Sequence, residues 1–356
     1  MAIRKFPDYQ RPVYDIVGLP FDAIDLRQAV RTVLRSIEHR EPLFVSTPNL
    51  NFLIAAQSDA AFRTSIFQSD LCLADGMPIV WLARLLGVPL PGRVAGSDLF
   101  EALCAQSNRT VKVFFFGGPA GAARSAAERV NQLAHEQRQL DQTPGVICVG
   151  DESPGFGSTD ELSSPDLIRR INASGADFVV VALGARKGQA WIQRNRAQLD
   201  APVISHLGAV INMAAGTIAR APRWMQKIGL EWIWRIKEEP LLWRRYASDG
   251  WALLRMLVTR VAPIVGRRWM RRLFGPGVRQ QGRLDCDCSQ GACHLRLLGD
   301  WSVANIAELQ ARLVDCGRQE SPVEVDTREA THMDAAVRGL LAIVPRDHAI
   351  SNAPVN

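Results

Sequence analysis

From about residue 42 to residue 216, short apolar runs alternate with stretches of helical length, and no other feature constrains the fold as strongly. The candidate strands are Leu43–Ser46, Leu71–Ala74, Val111–Phe116, Val146–Val149, Phe178–Leu183 and Val203–His206. Each is almost continuously hydrophobic, as strands are when helices cover both faces of a parallel sheet. Between them, Leu50–Phe67, Pro119–Gln137 and Lys187–Gln198 have the length and mixed polarity of covering helices. Asp151–Ser164, rich in Gly, Pro, Ser and acids, reads as a surface loop. The expected class is therefore α/β, with a mostly parallel sheet and flanking helices.

After Gly216 the chain becomes basic and aromatic. From Ile218 to Arg272 there are 13 Lys/Arg against 4 Asp/Glu, so the +6 net charge is concentrated there. Leu254, Leu257, Val258 and Val261 repeat at helical spacing and predict an amphipathic helix ending at Pro263. From about Arg279 a smaller pattern follows. LDCDCSQGACHLRLLGD reads as a hairpin, SVANIAELQARLVDCG as a helix, PVEVDT as a strand, and Ala335–Ile343 as a further helix. The expected organisation is an α/β core over residues 1–216, a basic, Trp-rich helical appendage over 217–278, and a small α/β domain over 279–356.

Some classes are disfavoured. With 47% hydrophobic residues the chain can fill sizeable cores, which argues against disorder. The opening MAIRKFPDYQRPVYDIVGLPFDAIDL is broken by charges and prolines, which argues against a secretory leader and for the cytoplasmic side. The uncharged run Ala201–Ala219 carries Pro202, His206, Asn212 and two glycines, which favours a buried strand and helix start over a membrane span. The seven cysteines lack the pattern of a disulfide framework, so reduced thiols are expected. Cys286, Cys288, Cys293 and His294 have poor zinc-ligand spacing, and a hairpin accounts for them better.

Four constellations carry chemistry. In TPNLNF, Thr47 and Asn49 follow a strand and open a helix, where free backbone amides suit a phosphate and a plain N-cap is the simpler alternative. In LADGMPIVW, Asp75 and Gly76 leave the end of a strand, the usual place for ligands in open α/β sheets. Asp75 there is a candidate general base, or only a turn residue. In GRVAGSDLF, Arg93 and Asp98 flank a glycine turn, and the guanidinium is suited to a leaving diphosphate or to a salt bridge. In FFFGGPAGAARSA, Gly117, Gly118 and Gly121 allow close backbone approach to a phosphate. Their spacing is not that of the dinucleotide fingerprint, so a nicotinamide-dependent oxidoreductase has little support.

Taken in order, TPNLNF, LADGMPIVW, GRVAGSDLF, FFFGGPAGAA, VVALGARKGQAWI, LGAVINMAAGTIARAPRWMQKIGLEW and EEPLLWRRY resemble the WecG/TagA/CpsF glycosyltransferases, family 26, from about residue 15 to residue 250. The resemblance implies a Rossmann-like fold and an inverting transfer of a sugar from a nucleotide donor, usually UDP-linked, to a polyprenyl-diphosphate-linked acceptor. The reaction would take place at the inner membrane face during exopolysaccharide, capsule or cell-surface glycan assembly. It makes Asp75 the catalytic base, with Thr47, Asn49, Gly76, Arg93, Asp98, Gly117, Gly118, Gly184, Gln189, Asn212 and Arg220 as the expected substrate-binding set. Arg223, Trp232, Arg235, Arg244 and Arg245 are the expected acceptor or membrane contacts. No cofactor, metal or nucleic acid is implied.

Two motifs depart from the family pattern. Arg186, Gly188 and Gln189 stand where the family usually has Pro, Gln and Glu, and Ile211-Asn212 replaces Phe-Asp. Asn212 can hydrogen-bond but cannot act as an anion. The competing expectation is thus an impaired family member kept as a scaffold. The tail from about residue 283 resembles a STAS domain, a protein-contact module. Ala335 follows Asp334 where that pattern usually has a phosphorylatable Ser or Thr, which argues against a phosphoswitch.

Overall fold

The strands, in chain order, begin with β1 (Val13–Ile16), β2 (Leu19–Asp22), β3 (Leu43–Ser46), β4 (Leu71–Cys72), β5 (Val111–Gly117), β6 (Val146–Glu152), β7 (Phe178–Ala182) and β8 (Val203–His206). This computed structural model describes residues 6–155, 157–217, 219–274, 280–288, 292–345 and 350–351. Among them, Ile24–Val80 and Pro91–Leu253 make one compact unit, and the other is drawn from Lys5–Ala23, Trp81–Leu90 and Leu254–Asn356.

In the first unit β3 to β8 form one parallel sheet in the order β4-β3-β8-β7-β5-β6. Strand side chains alternate between faces, and this parity divides the core. Val45, Val113, Phe115, Val180 and Val203 join Ala29, Val33 and Ile37 on one side. Phe44, Phe114, Phe116, Val179, Val181 and Ile204 join Leu167, Ile171 and Trp191 on the other. Strands β3, β7 and β8 are buried on both faces, as continuous hydrophobicity requires, whereas in the edge strand β6 only Val146 is buried. The helix Leu26–His39 covers the first face and starts in a capping box, with the Asp25 carboxylate accepting from the Gln28 N–H at 2.7 Å and the Gln28 amide oxygen from the Asp25 N–H at 2.8 Å.

Strand order also fixes where a ligand belongs. The connection after β3 runs outward to β4, whereas the chain reaches β8, on the other side of β3, by way of β7. The carboxyl ends of β3, β4 and β8 thus meet at a topological switch point, the preferred ligand position in open α/β sheets.

The helix expected to end at Pro263 does not end there. Helix Leu242–Met256 passes through a π-helical turn, Leu257–Val261, into helix Ala262–Phe274. Pro263 falls in the first turn of that last segment, where a missing N–H is tolerated. Nor is the predicted stripe buried as a unit, since Val261 is buried but Leu254 and Val258 are exposed.

The second unit contains β9 (Arg283–Asp287), β10 (Cys293–Trp301), β11 (Val323–Met333) and β12 (Ile350–Ser351), ordered β12-β11-β10-β9. β9 and β10 form the expected hairpin, and the helix Ile306–Arg318 packs Leu309 and Leu313 onto Leu295, Leu297 and Trp301. The amino-terminal hairpin β1–β2, expected with the sugar-nucleotide core, groups with this module instead. Tyr9 and Val13 enter its hydrophobic core, and Asp15 pairs with Arg338 at 3.2 Å. Gly339 permits the approach, because a Cβ there would lie 2.7 Å from the Tyr14 Cα and the Val13 carbonyl oxygen. Asp334 caps the helix Ala335–Ala342, accepting from Ala336 and Val337 N–H at 2.9 and 3.0 Å. The expectation of reduced thiols is also corrected, since Cys288 and Cys293 are joined by a disulfide across the hairpin.

Candidate active site

Asp75 lies just past the end of β4, held by backbone alone. Its N–H donates to the Pro48 carbonyl at 3.1 Å, and Gly76 follows with φ +96°. The bonds from Leu73 N–H to Ser46 and from Val94 N–H to Ala74, both 2.8 Å, bring the motifs at 47, 75 and 93 together. Thr47 is buried beside this point, and Asn49 N-caps the helix Leu50–Ser58 through a 3.2 Å bond from the Phe52 N–H. Capping therefore accounts for Asn49 Oδ1, and its amide nitrogen is the part left for a ligand.

A charged network faces Asp75. Arg93 donates to Glu231 at 2.6 Å, to Asp98 at 2.8 Å and to Gln226 at 3.3 Å. Arg220 binds the other Asp98 oxygen and Glu101, and reaches Gln226 at 3.2 Å. Both arginines of the expected substrate set are thus engaged by protein carboxylates. Burial pushes the Asp75 carboxyl up to about 7; Arg93 pulls it down, Glu231 and Asp98 push it up, and Arg220 pulls it down. A carboxylate poised near neutrality is suited to accept a proton from a hydroxyl at working pH.

The remaining substrate-binding candidates divide. Gly117 and Gly118 have φ of +102° and +80°, but the Gly118 N–H donates to the Ala182 carbonyl at 2.7 Å and is not free for a phosphate. Gly184, exposed with φ +79°, opens the helix Ala185–Asn195 at the end of β7. Gln189 turns inward, donating to Ser46 Oγ at 2.8 Å, and its buried Oε1 lacks a partner. Half-buried Asn212 accepts the Thr217 N–H at 3.1 Å and hydroxyl at 2.9 Å through its backbone carbonyl. Arg186 points to Asp59 at 3.4 Å.

Three features escape a reading of the sequence. His206 ends β8, buried, with Nε2 unpartnered, and its ring fills the space above Gly188, where a Cβ would come within 2.2 Å of Cδ2. Burial drives its pKa down to about 4, so the imidazole is neutral. Buried Asp249 meets Asn51 at 3.4 and 3.5 Å, tying helix Leu242–Met256 to the helix that Asn49 caps. Glu231 completes the Arg93 clamp. The one available signal was the glycine at 188, which implies something large beside it.

In the stretch 229–246, Trp234 is the inward aromatic, donating to the Ala219 carbonyl at 3.0 Å. Trp232 and Ile233, each 42% exposed, face out, so the helix Glu231–Glu238 buries none of its residues. Arg235 pairs with Glu239 at 3.3 Å, while Arg244 and Arg245 lie over the rings of Trp243 and Tyr246. The Arg223 side chain lies outside the described residues.

The profile of the glycosyl transferase WecG/TagA/CpsF family matches residues 14–264, which span both the sheet and the Trp-rich helices. The chain belongs to this family. It is a glycosyltransferase, and the motifs gathered around Asp75 are among those that carried the resemblance. Similar proteins include two named N-acetylglucosaminyldiphosphoundecaprenol N-acetyl-beta-D-mannosaminyltransferase. The one from Bacillus spizizenii (strain ATCC 23059 / NRRL B-14472 / W23) is 28% identical over 213 residues, covering 60% of this chain and 77% of the relative. That from Bacillus subtilis (strain 168) is 26% identical over 213 residues, covering 60% and 78%. Among the described residues no helix is long and apolar enough to cross a membrane.

Proposed function

We propose that the chain transfers a sugar from a nucleotide donor, UDP-linked, to a saccharide carried on a polyprenyl diphosphate, in the assembly of a cell-surface polysaccharide. The observation that carries this reading is Asp75, held near neutral pKa at the switch point among the family's motifs. In its ionised form it takes the proton of the acceptor hydroxyl as that oxygen attacks the anomeric carbon from the face opposite the nucleotide. The bond to the diphosphate breaks, and its electrons leave on the phosphate oxygen. Arg93 and Arg220 serve the departing charge by exchanging a protein carboxylate for a phosphate. The activity for which the relatives are named makes N-acetylmannosaminyl transfer to a lipid-diphosphate N-acetylglucosamine the first reaction to try.

The acceptor is a membrane lipid, and the Trp-rich helices of the first unit suit its approach. Trp224, Trp232, Ile233, Leu241, Trp243 and Trp251 are exposed, with Leu241 85% accessible, and Arg244 and Arg245 stand among them. Tryptophans with arginines fit the interface of an anionic bilayer, so we assign this surface to peripheral contact with the inner leaflet. The small module serves as a docking site for a protein partner.

Purified protein, a radiolabelled panel of UDP-sugars and a polyprenyl-diphosphate N-acetylglucosamine acceptor test the first reading, and transfer of label to lipid is expected. The inward turn of Gln189, whose amide is committed to Ser46, favours a second reading, an impaired member acting as a scaffold. Absence of transfer from every donor, with the protein folded, selects it. Absence of liposome flotation, with full activity when Arg244 and Arg245 are changed to Glu, removes the membrane assignment.

A further inference from the structure

Four of the seven cysteines converge in the small module. Cys286 lies on β9 opposite Leu295, and Cys293 opens β10 two residues before that leucine. Paired residues share a face of a sheet, as do residues two apart. Cys286 and Cys293 are therefore on the side that carries Leu295 and Leu297 into the core, although Cys286, on the edge strand, is reached by solvent. Cys288 follows Cys286 with the same parity. From the helix packed on that face, Cys316 is buried in the same core.

The sulfurs meet. Cys286 Sγ lies 3.5 Å from Cys288 Sγ, and those of Cys288, Cys293 and Cys316 are all within 4.8 Å of one another. Cys286 is also near enough to Cys316 to act on its thiol electrostatically. A tetrahedral four-sulfur site with metal–sulfur bonds of about 2.3 Å spaces its sulfurs about 3.8 Å apart, close to the 3.5 Å between Cys286 and Cys288. His294 is not a member. It points to the other face, where Nδ1 meets Glu324 at 2.9 Å. Among the described residues Cys288, Cys293 and Cys316 are the only group of three or more His, Cys, Asp and Glu side chains assembled closely enough to hold a metal ion, and Cys286 adjoins it through Cys288.

We propose that Cys286, Cys288, Cys293 and Cys316 form a four-thiolate site for a zinc-class divalent cation, open only when the Cys288–Cys293 disulfide is reduced. A dithiol reductant breaks the sulfur–sulfur bond, giving two electrons and two protons to Cys288 and Cys293 and itself becoming a disulfide. The cation then displaces the four thiol protons and makes four metal–sulfur bonds. Disulfide and metal exclude each other, because the bonded pair has no thiolates to offer. Soft thiolates in tetrahedral array select zinc over magnesium or calcium. The ion staples the hairpin to the helix Ile306–Arg318 in a module whose own core is small.

Cobalt titration of the reduced, metal-free, full-length protein under anaerobic conditions tests this. The expected result is one equivalent bound, with a thiolate-to-cobalt charge-transfer band and the d–d absorption of a tetrahedral four-sulfur site, displaced by zinc. Oxidation to the disulfide expels the cobalt. The C286S variant, altered at an exposed position that leaves the fold intact by circular dichroism, weakens cobalt binding on the order of tenfold or more, as loss of one of four ligands requires. C316S does the same where it folds, and C104S and C148S bind as the parent does. Reduced, folded protein that gives no thiolate-to-cobalt band overturns the proposal, as does C286S with unchanged spectrum and affinity.

Discussion

Replacing Asp75 by Asn separates what this carboxylate does for catalysis from what it costs the fold. Its pKa is raised from 3.8 to about 7, chiefly by burial. The folded state therefore holds the proton more tightly than the unfolded chain. Below 3.8 both states are protonated and Asp75 carries no penalty; as pH rises through 7 the folded state must bury a charge. The gap between 3.8 and about 7 corresponds to roughly 4 kcal/mol. Asp75 is only partly shielded from water, which brings the expected cost to about 2 kcal/mol. Asn has the same shape and does not ionise, so D75N should melt at the same temperature as the parent at pH 4 and about 4–8 °C higher at pH 8. Turnover should fall on the order of 10²-fold or more with donor affinity retained. The parent's kcat should rise tenfold per pH unit up to about 7 and then level, and the variant should lose that limb. Scanning calorimetry at the two pH values and radiolabel transfer read the two effects. A melting difference that does not change with pH would refute the burial argument, and near-normal turnover would remove Asp75 from the role of base.

The neighbours of Asp75 predict shifts of opposite sign. Arg93 lowers its pKa, so R93M should move the acid limb to higher pH; Glu231 raises it, so E231Q should move the limb to lower pH, both measured as pH–rate profiles of lipid-linked product. His206, held down to about 4, binds a proton less readily folded than unfolded. It is neutral in both states above 6.5, and stability is lost as pH falls from there toward 4, by roughly 3 kcal/mol. H206Q should flatten that part of the curve relative to the parent in urea unfolding. A side chain at position 188 collides with His206, so G188Q should lose about 1–3 kcal/mol, and adding H206A should recover most of it. Additive losses in that cycle would show that the two positions do not compete for one space.

How much of this could be read in advance depended on whether the signal was local. The sheet was legible because its central strands are buried on both faces, so Phe114–Phe116 and Phe178–Val181 announce themselves as unbroken apolar runs. The position of Asp75 was legible because it follows a strand end, where open sheets place ligands, and the pairing of Arg93 with Asp98 because they flank the next turn. The clamp that closes on them was not, since Glu231 and Arg220 arrive from more than 120 residues away in sequence. The grouping of the hairpin β1–β2 with the small module was hidden for the same reason, its partner Arg338 being 323 residues distant from Asp15. Position 188 is the instructive case. Read alone, the change to glycine there is a missing polar contact and argues for a weakened enzyme. With His206 in view it is a substitution of one side chain for another in the same volume, and the imidazole supplies one unpartnered ring nitrogen at the carboxyl end of β8. If that nitrogen meets the donor, H206A should raise KM for the nucleotide sugar more than it lowers kcat, and G188Q/H206A should restore it. If His206 only fills space, both variants should leave KM unchanged while stability moves, and the reading of this chain as an altered but active member would then rest on Asp75 alone.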